Sequence, residues 1–321
     1  MNDVAASQAP PTSPPSAPAD AVVADLWTRR LEWSAAAGNL KRKTVLARGV
    51  ALLLSSLGAI LAAVAASFLA HKPELRTPCA AASAILLAFA TYITRWFLTP
   101  DAIRAWTRAR SVSEALEAEI FTFRAGAAPY GGANAVDLLF NKSQAIQATA
   151  TDLKGELVGV QAGSSTPPPP LDRDKYIAQR VQQQINNYYL KNALLNANRL
   201  SRFRTLEFLL GLAATVLGGL ASYFSSLDSS LHSLFATWVP VFTTLSAAIA
   251  SHLAASRYAF LVMSYEGTAQ RLQDLMTWWR SRQPPTDADW SQFVKSAEEA
   301  MAAENQSWTA KWVEKIDGAK Q

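Results

Sequence analysis

Two charge-free apolar runs separated by a short polar turn constrain this chain most, and the pair occurs twice. Residues 49–70 (GVALLLSSLGAILAAVAASFLA) hold no Asp, Glu, Lys or Arg; HKPELRTP follows, and residues 79–94 (CAAASAILLAFATYIT) are again uncharged up to Arg95. Residues 208–227 (FLLGLAATVLGGLASYFSSL) and 235–256 repeat the pattern, the latter within an uncharged run from Ser229 to Ser256. About 20 apolar residues at helical rise cross a hydrocarbon core. Two buried helix pairs in a soluble bundle would also be apolar all round, but soluble core helices of this length seldom lack every charge. The expectation is an all-α membrane protein with spans at about 49–70, 79–98, 208–227 and 235–256: two tandem two-transmembrane hairpins whose long cytoplasmic helices form a bundle.

The hairpins read as copies. A step of 156 positions takes Arg48 onto Arg204, Leu116 onto Leu272 and Arg124 onto Arg280 without a gap. The same step takes Gly58, Ala62 and Ala66 onto Ala214, Gly218 and Ser222. Small residues four apart leave a flat stripe on a helix face, where a neighbouring backbone can approach closely in lipid. These six are the candidate helix-packing positions.

Half the residues are apolar and 17% are charged, with a formal net charge of +5 and a pI near 9.3. Basic residues cluster at the outer flanks of the hairpins, at Lys41, Arg42, Lys43, Arg48, Arg95, Arg104, Arg199, Arg202, Arg204 and Arg257, whereas the first turn holds only Lys72 and Arg76. The positive-inside rule then puts both termini and the middle segment in the cytoplasm. Anionic lipid headgroups account for the basic excess, so no nucleic-acid partner is expected. The single cysteine, Cys79, excludes an intrachain disulfide. The first apolar run begins too late and is too long for a cleavable signal sequence.

Along the chain, residues 1–20 are Pro/Ala/Ser-rich and read as a disordered tail. Residues 21–160 form the first unit: an amphipathic helix from about Ala21, two spans, a helix from Pro100 to about Gly126, a break at GAAPYGGANA, and one further helix over 135–160. Residues 161–171 (including PPPP) are a polyproline-rich linker. The second unit, 172–321, opens on a long helix with Asp172 or Asp174 as cap; nothing from Tyr176 to Glu207 breaks it before the third span. Its polar face is mostly amide, from Gln179 to Asn198, a solvated or packing face or a surface for subunit association. The helix after the fourth span continues from Ser256 to Pro284, and the last starts near Thr286 with Trp290, Val294, Ala297, Met301, Trp308 and Trp312 on one face.

No phosphate-cradling loop, HExxH, CxxC or GxSxG occurs, and His71, His232 and His252 are scattered, so no catalytic residue, metal or cofactor is assigned. No acidic residue falls within a span, which disfavours an ion-coupled transporter. Thr243, Thr244, Ser246, Ser251 and His252 make the inner end of the fourth span the most polar, and they are the candidate pore-lining residues; helix–helix hydrogen bonding is the other reading of them. Four mostly apolar spans cannot easily line an aqueous path in one chain, so a conducting form should be a homo-oligomer.

Tyr176, Arg180, Gln184, Tyr188, Tyr189, Lys191, Ala193 and Asn196, then a hairpin, then Arg257-Tyr258, Tyr265, Leu272 and Trp279, and the tail AENQSWTAKW at 303–312, resemble the SLATT family, the SMODS and SLOG-associating two-transmembrane effector domains of bacteria. The first unit is similar to a divergent SLATT type in its spans and its ARSVSEALEAEIFTFRAG helix, so the resemblance implies two copies in tandem, the second the clearer. It implies a pore-forming or membrane-perturbing effector, an ion channel for instance, of a bacterial nucleotide-signalled defence system. A nucleotide-sensing or signalling protein encoded nearby would be its partner, and the bacterial inner membrane its location. A non-conducting membrane scaffold whose cytoplasmic helices recruit a soluble partner is the competing reading.

Overall fold

A computed structural model describes residues 17–67, 69 and 72–317. The described residues are all helical or connecting, with no strand among them. Helix α1 (Ala17–Ser67) and α2 (Pro73–Phe97) form the first hairpin; α3 (Pro100–Arg124) and α4 (Ala135–Ala148) follow. Helix α5 runs Arg173–Phe224 and pairs with α6 (Ser229–Ser256); α7 (Tyr258–Arg280) and α8 (Asp287–Asp317) complete the chain. Four helices are long and apolar enough to cross a membrane, and no more than 17% of any such apolar window is buried within the chain.

The two halves share one succession of elements. Moved by 156 positions, α1 covers 173–223, α2 covers 229–253 and α3 covers 256–280, within a few residues of α5, α6 and α7. Both first helices are unbroken rods, 51 and 52 residues long, that leave the extramembrane bundle and become the first arm of a hairpin. Of the tail expected over 1–20, Ala17–Asp20 form the first turn of α1, with Asp20 ion-paired to Arg124 at 2.7 Å. Residues 1–16 lie outside the described residues, as do His71 and the side chains of Trp308 and Trp312.

Helix starts follow their capping residues. Thr99 accepts from the Ala102 amide at 3.2 Å, Asp172 from Lys175 at 2.8 Å, and Asp228 from Ser230 at 2.8 Å. Thr286 and Asp289 exchange bonds in a capping box, the Asp289 amide donating to the Thr286 hydroxyl at 3.1 Å and the Thr286 amide donating to the Asp289 carboxylate at 3.0 Å. Two expectations need correction. The single helix over 135–160 stops at Ala148, because the Thr149 and Thr151 hydroxyls donate back to the Ile146 and Ala148 carbonyls, and a 3-10 segment, Thr151–Leu157, takes over. The helix beyond the fourth span is interrupted at Arg257, which adopts the left-handed conformation (φ 50, ψ 37) and separates α6 from α7.

The bundle has one main core. Trp33, Leu116, Tyr176, Val181, Leu272, Phe293, Val294 and Ala297 are almost wholly buried in it, bringing α1, α3, α5, α7 and α8 together. The last helix packs across the halves: the Trp290 indole donates to the Ala125 carbonyl at the end of α3, and its ring meets Tyr176 at 5.5 Å and Trp279 at 5.3 Å. The Pro-rich segment also returns to the first half, with the Trp27 indole donating to the Ser165 carbonyl at 2.9 Å and the Leu171 amide to the Arg124 carbonyl at 2.9 Å.

Candidate functional site

At the centre of the bundle a buried guanidinium holds two carboxylates from different halves of the chain. Arg180 lies where α5 winds as two π-helical stretches, Ile177–Gln182 and Gln184–Leu190, a rare geometry that recurs at functional sites. Its Nε and Nη2 grip both oxygens of Glu298 on α8, at 3.0 and 2.8 Å, and Nη1 donates to Glu117 on α3 at 2.6 Å. Arg30 on α1 reaches the other oxygen of Glu117, with Nε at 2.9 Å, and the Tyr176 hydroxyl donates to Glu298 at 2.8 Å. The face of Phe121 lies 4.3 Å from the Arg180 guanidinium carbon. One connected network thus ties α1, α3, α5 and α8.

The electrostatics match that geometry. Burial alone would raise the Glu117 carboxyl, but Arg180 and Arg30 more than offset it and hold it below the usual carboxylate range. Burial likewise works against the Arg180 charge, yet Glu298 and Glu117 keep it firmly protonated. Burial raises Glu114, one turn before Glu117, against the opposing pull of Arg110. A cavity of about 330 Å³ opens beside the network, walled by Arg30, Arg110, Glu114, Trp106 and Tyr188 among others. Each carboxylate of the network is saturated by cationic or hydroxyl donors, so the arrangement suits locking helices together better than moving protons. Among the described residues, no three His, Cys, Asp or Glu side chains gather as a metal-holding group.

The expected membrane residues fall in several surroundings. Gly58 sits at the crossing of α1 and α2: a Cβ there would lie 2.9 Å from the Leu87 side chain, and Ser83 donates to the Gly58 carbonyl at 2.7 Å. Ala62 and Ala66 are exposed on the single chain. In the second hairpin Ala214 and Gly218 are half-buried, Gly218 with room for a Cβ at 4.0 Å from Val239, and Ser222 is exposed. Ser246 joins the α5–α6 seam by donating to the Glu207 carbonyl at 3.2 Å. Thr243 and Thr244 are exposed, their hydroxyls donating to Val239 and Pro240 of their own helix. Ser251 and His252 line a second cavity, between the two hairpins.

Sequence reasoning missed the network. Helical spacing marks Tyr176 as a partner-facing position of its helix and the family resemblance marks it again, Arg180 is singled out only through that resemblance, and Glu117 and Glu298 are not singled out. The available signal was an acid set inside each apolar stripe: Glu117 among Leu116 and Ile120, and Glu298 among Val294, Ala297 and Met301.

These features can be set beside known proteins. Residues 176–308 match the family model of SMODS and SLOG-associating 2TM effector domain 1. Residues 31–137 match a different model, a protein family of unknown function (DUF4231). The first match takes in Tyr176, Arg180, the second hairpin and Glu298; the second takes in the first hairpin and Glu117. The two halves thus match two different models, the clearer second unit that of the SMODS and SLOG-associating domain and the divergent first unit that of a family of unknown function. No curated protein matches the chain, and no solved structure does.

Proposed function

We propose that this chain is a non-catalytic membrane effector of a bacterial nucleotide-signalled defence system, acting as an oligomeric pore or membrane-perturbing element. The two halves are read as an internal duplication, two SLATT-type units in tandem with the first divergent. Both termini and the bundle lie on the cytoplasmic side of the inner membrane. The observation that carries the reading is the pair of unbroken rods: α1 bears Arg30 and α5 bears Tyr176 and Arg180, and each becomes a membrane span without a joint. At helical rise about 30 Å separates Arg30 from the first span and about 40 Å separates Arg180 from the third. A shift of the network therefore moves the spans as levers.

Conduction needs more than one copy, with the polar end of α6 the proposed lining: Thr243 and Thr244 face outward from the single chain, where a second copy could meet them. The activating signal is assigned to a separate nucleotide-sensing protein. Liposomes holding the purified full-length chain test this. Ion or dye release that rises with protein-to-lipid ratio is expected, and Arg180 variants should change its threshold. Tight liposomes at every ratio, with and without a nucleotide-responsive partner, would remove the pore.

One feature favours the scaffold reading. Leu190, Leu194, Leu195 and Met263 are 40–68% exposed on the bundle, outside the spans, as a partner's docking face would be. A chain that captures a soluble protein yet leaves liposomes sealed is the outcome that selects it.

A further inference from the structure

Helix α5 keeps one side exposed along most of its length. Its buried side, with Tyr176, Arg180, Ile185, Tyr189, Ala193 and Asn196, packs into the bundle, and further on the helix pairs with α6. On the other side Leu194, Asn198, Ser201, Thr205, Phe208 and Leu212 follow in steps of three and four and are all exposed, so one straight stripe leaves the bundle and enters the third span. Leu194 and Phe208 are 63% and 67% exposed. Between residues 191 and 207 the helix carries Lys191, Arg199, Arg202, Arg204 and Glu207, and the stripe takes none of them. Towards the bundle it continues through the exposed Gln183, Asn187 and Leu190. The amides of Asn192 and Asn196, nearer the covered side, donate to carbonyls one turn back at 2.8 and 2.7 Å, whereas Gln183, Asn187 and Asn198 are exposed. The other rod lacks this stripe: at the step of 156, Leu194 answers to Gly38 and Asn198 to Arg42, both exposed.

We propose that this stripe seats a second copy of the chain, with α5 lying along α5 about a two-fold axis normal to the membrane. Four spans fix every copy the same way up, so the two rods run parallel and each residue nearest the axis meets its own counterpart. Only groups that complement themselves fit such a contact. A side-chain amide does, because it both donates and accepts, and facing leucines do. A like charge does not, which disqualifies the matching face of α1 with its Arg42. Arg202 and Arg204 border the stripe just before the third span, where anionic headgroups offset their charge. A soluble partner would cover Leu190 and Leu194 but not Phe208 and Leu212, which belong to the span. A second copy covers the whole run, about 27 Å from Leu194 to Leu212 at helical rise. The inference deepens the oligomeric reading by naming its contact, and rests on that reading only for the second copy; it holds for a pore or a sealed scaffold alike.

Cys79 is the only cysteine, so Cys79→Ser leaves the full-length chain free of thiols. Single cysteines are then placed at Leu194→Cys and Thr205→Cys on the stripe, and at Leu195→Cys and Leu206→Cys, their exposed neighbours about 100° round the helix. Membranes holding each variant are oxidised with copper phenanthroline. Disulfide-linked dimers are expected at the first two positions and at neither neighbour, since the bond closes only where the two Cα atoms come within about 7 Å. Linking at all four positions, at none or at the neighbours only would overturn the interface. Linked dimers in liposomes that stay sealed would remove the pore and leave the interface standing, whereas dye release with no link at Leu194→Cys or Thr205→Cys would keep the pore and overturn the interface. Should the thiol-free chain not fold, native mass spectrometry of the otherwise unaltered chain decides. Leu194→Arg sets like charges face to face and should weaken the dimer about tenfold, while Leu195→Arg should leave it unchanged. Equal weakening by both, or none by either, would overturn the proposal.

Discussion

Each long rod passes through two environments with opposite rules. In the bundle, charge is inside: Arg180 and Glu298 are 6% and 8% exposed and bonded to each other. In the hairpins, oil is outside: Leu53, Phe89, Phe208 and Val216 are each more than half exposed. The bundle buries its Trp, Tyr and Leu side chains around a few fully paired charges, as a water-soluble domain does. The hairpins leave large apolar side chains facing out, which only a lipid solvent accommodates. One helix can obey both rules because helical geometry satisfies the backbone in either medium.

The largest effect should come from breaking the bundle's rule. Arg180→Met leaves Glu117 and Glu298 buried without their shared partner, and removing one side of such a pair costs about 3–5 kcal/mol. A strongly lowered unfolding midpoint is expected, read from intrinsic Trp fluorescence of the detergent-solubilised chain. Replacing Arg180, Glu117 and Glu298 together with apolar residues should recover much of that loss, because no charge is then stranded. A triple variant as unstable as the single one would show that shape, not charge, holds the centre.

Next comes the membrane's rule. Val216→Arg places a charge near the middle of the third span, on a side chain 53% exposed, and should oppose insertion by about 2.5–3.5 kcal/mol. Leu194→Arg makes the same change on the same helix at a position 63% exposed but in the bundle, where about 0.5 kcal/mol or less is expected. The fraction integrated into membranes after alkaline extraction separates the two. Equal behaviour would mean that the boundary between the media is misplaced.

How much of this was legible beforehand follows the same division. The hairpins could be read because a missing charge is visible in the sequence, and the rods because no Pro or Gly stands between Tyr176 and Glu207. The bundle's centre could not, since its partners lie far apart and the repeat does not predict them. At a step of 156, Arg180 answers to Ala24, Glu117 to Gln273, Glu298 to Lys142 and Arg30 to Asn186. The network is therefore a feature of the joined halves and is absent from either half's pattern. Arg257 was hidden for a different reason: a left-handed turn at Arg carries none of the Gly or Asn signals that mark such turns. The polar residues of α6 were visible as a group, but their directions around the helix were not, and they divide among seam, outer face and cavity.

Within the hairpins, packing should matter less than insertion. Gly58→Val brings a branched side chain against Leu87, where even a Cβ stands 2.9 Å away, and overpacking of this kind costs about 1–3 kcal/mol. Ala62→Val, one turn on and exposed, should leave the single chain's unfolding midpoint unchanged. Should Ala62→Val instead weaken an oligomer seen by cross-linking, that face belongs to a neighbouring copy.

The smallest effect sets two acids on one helix against each other. The Glu117 carboxyl is held low by Arg180 and Arg30 despite its burial, so the stability it contributes is complete above the ordinary glutamate range near 4.3 and is lost as pH falls through its lowered value. Glu114 is raised by burial and runs the other way: the folded chain takes up its proton first, so stability falls as pH rises from the ordinary range through the raised value. With its side chain 33% exposed, solvent screens part of that effect. Unfolding midpoints of Glu117→Gln and Glu114→Gln measured from pH 4 to 7 should therefore diverge. The first loses its dependence at the acid edge, and the second is flatter just above pH 4.3 than the unaltered chain. Parallel curves would mean that water reaches both carboxylates equally, and the bundle's centre would then not be the dry, charge-paired core that distinguishes it from the lipid-facing arms.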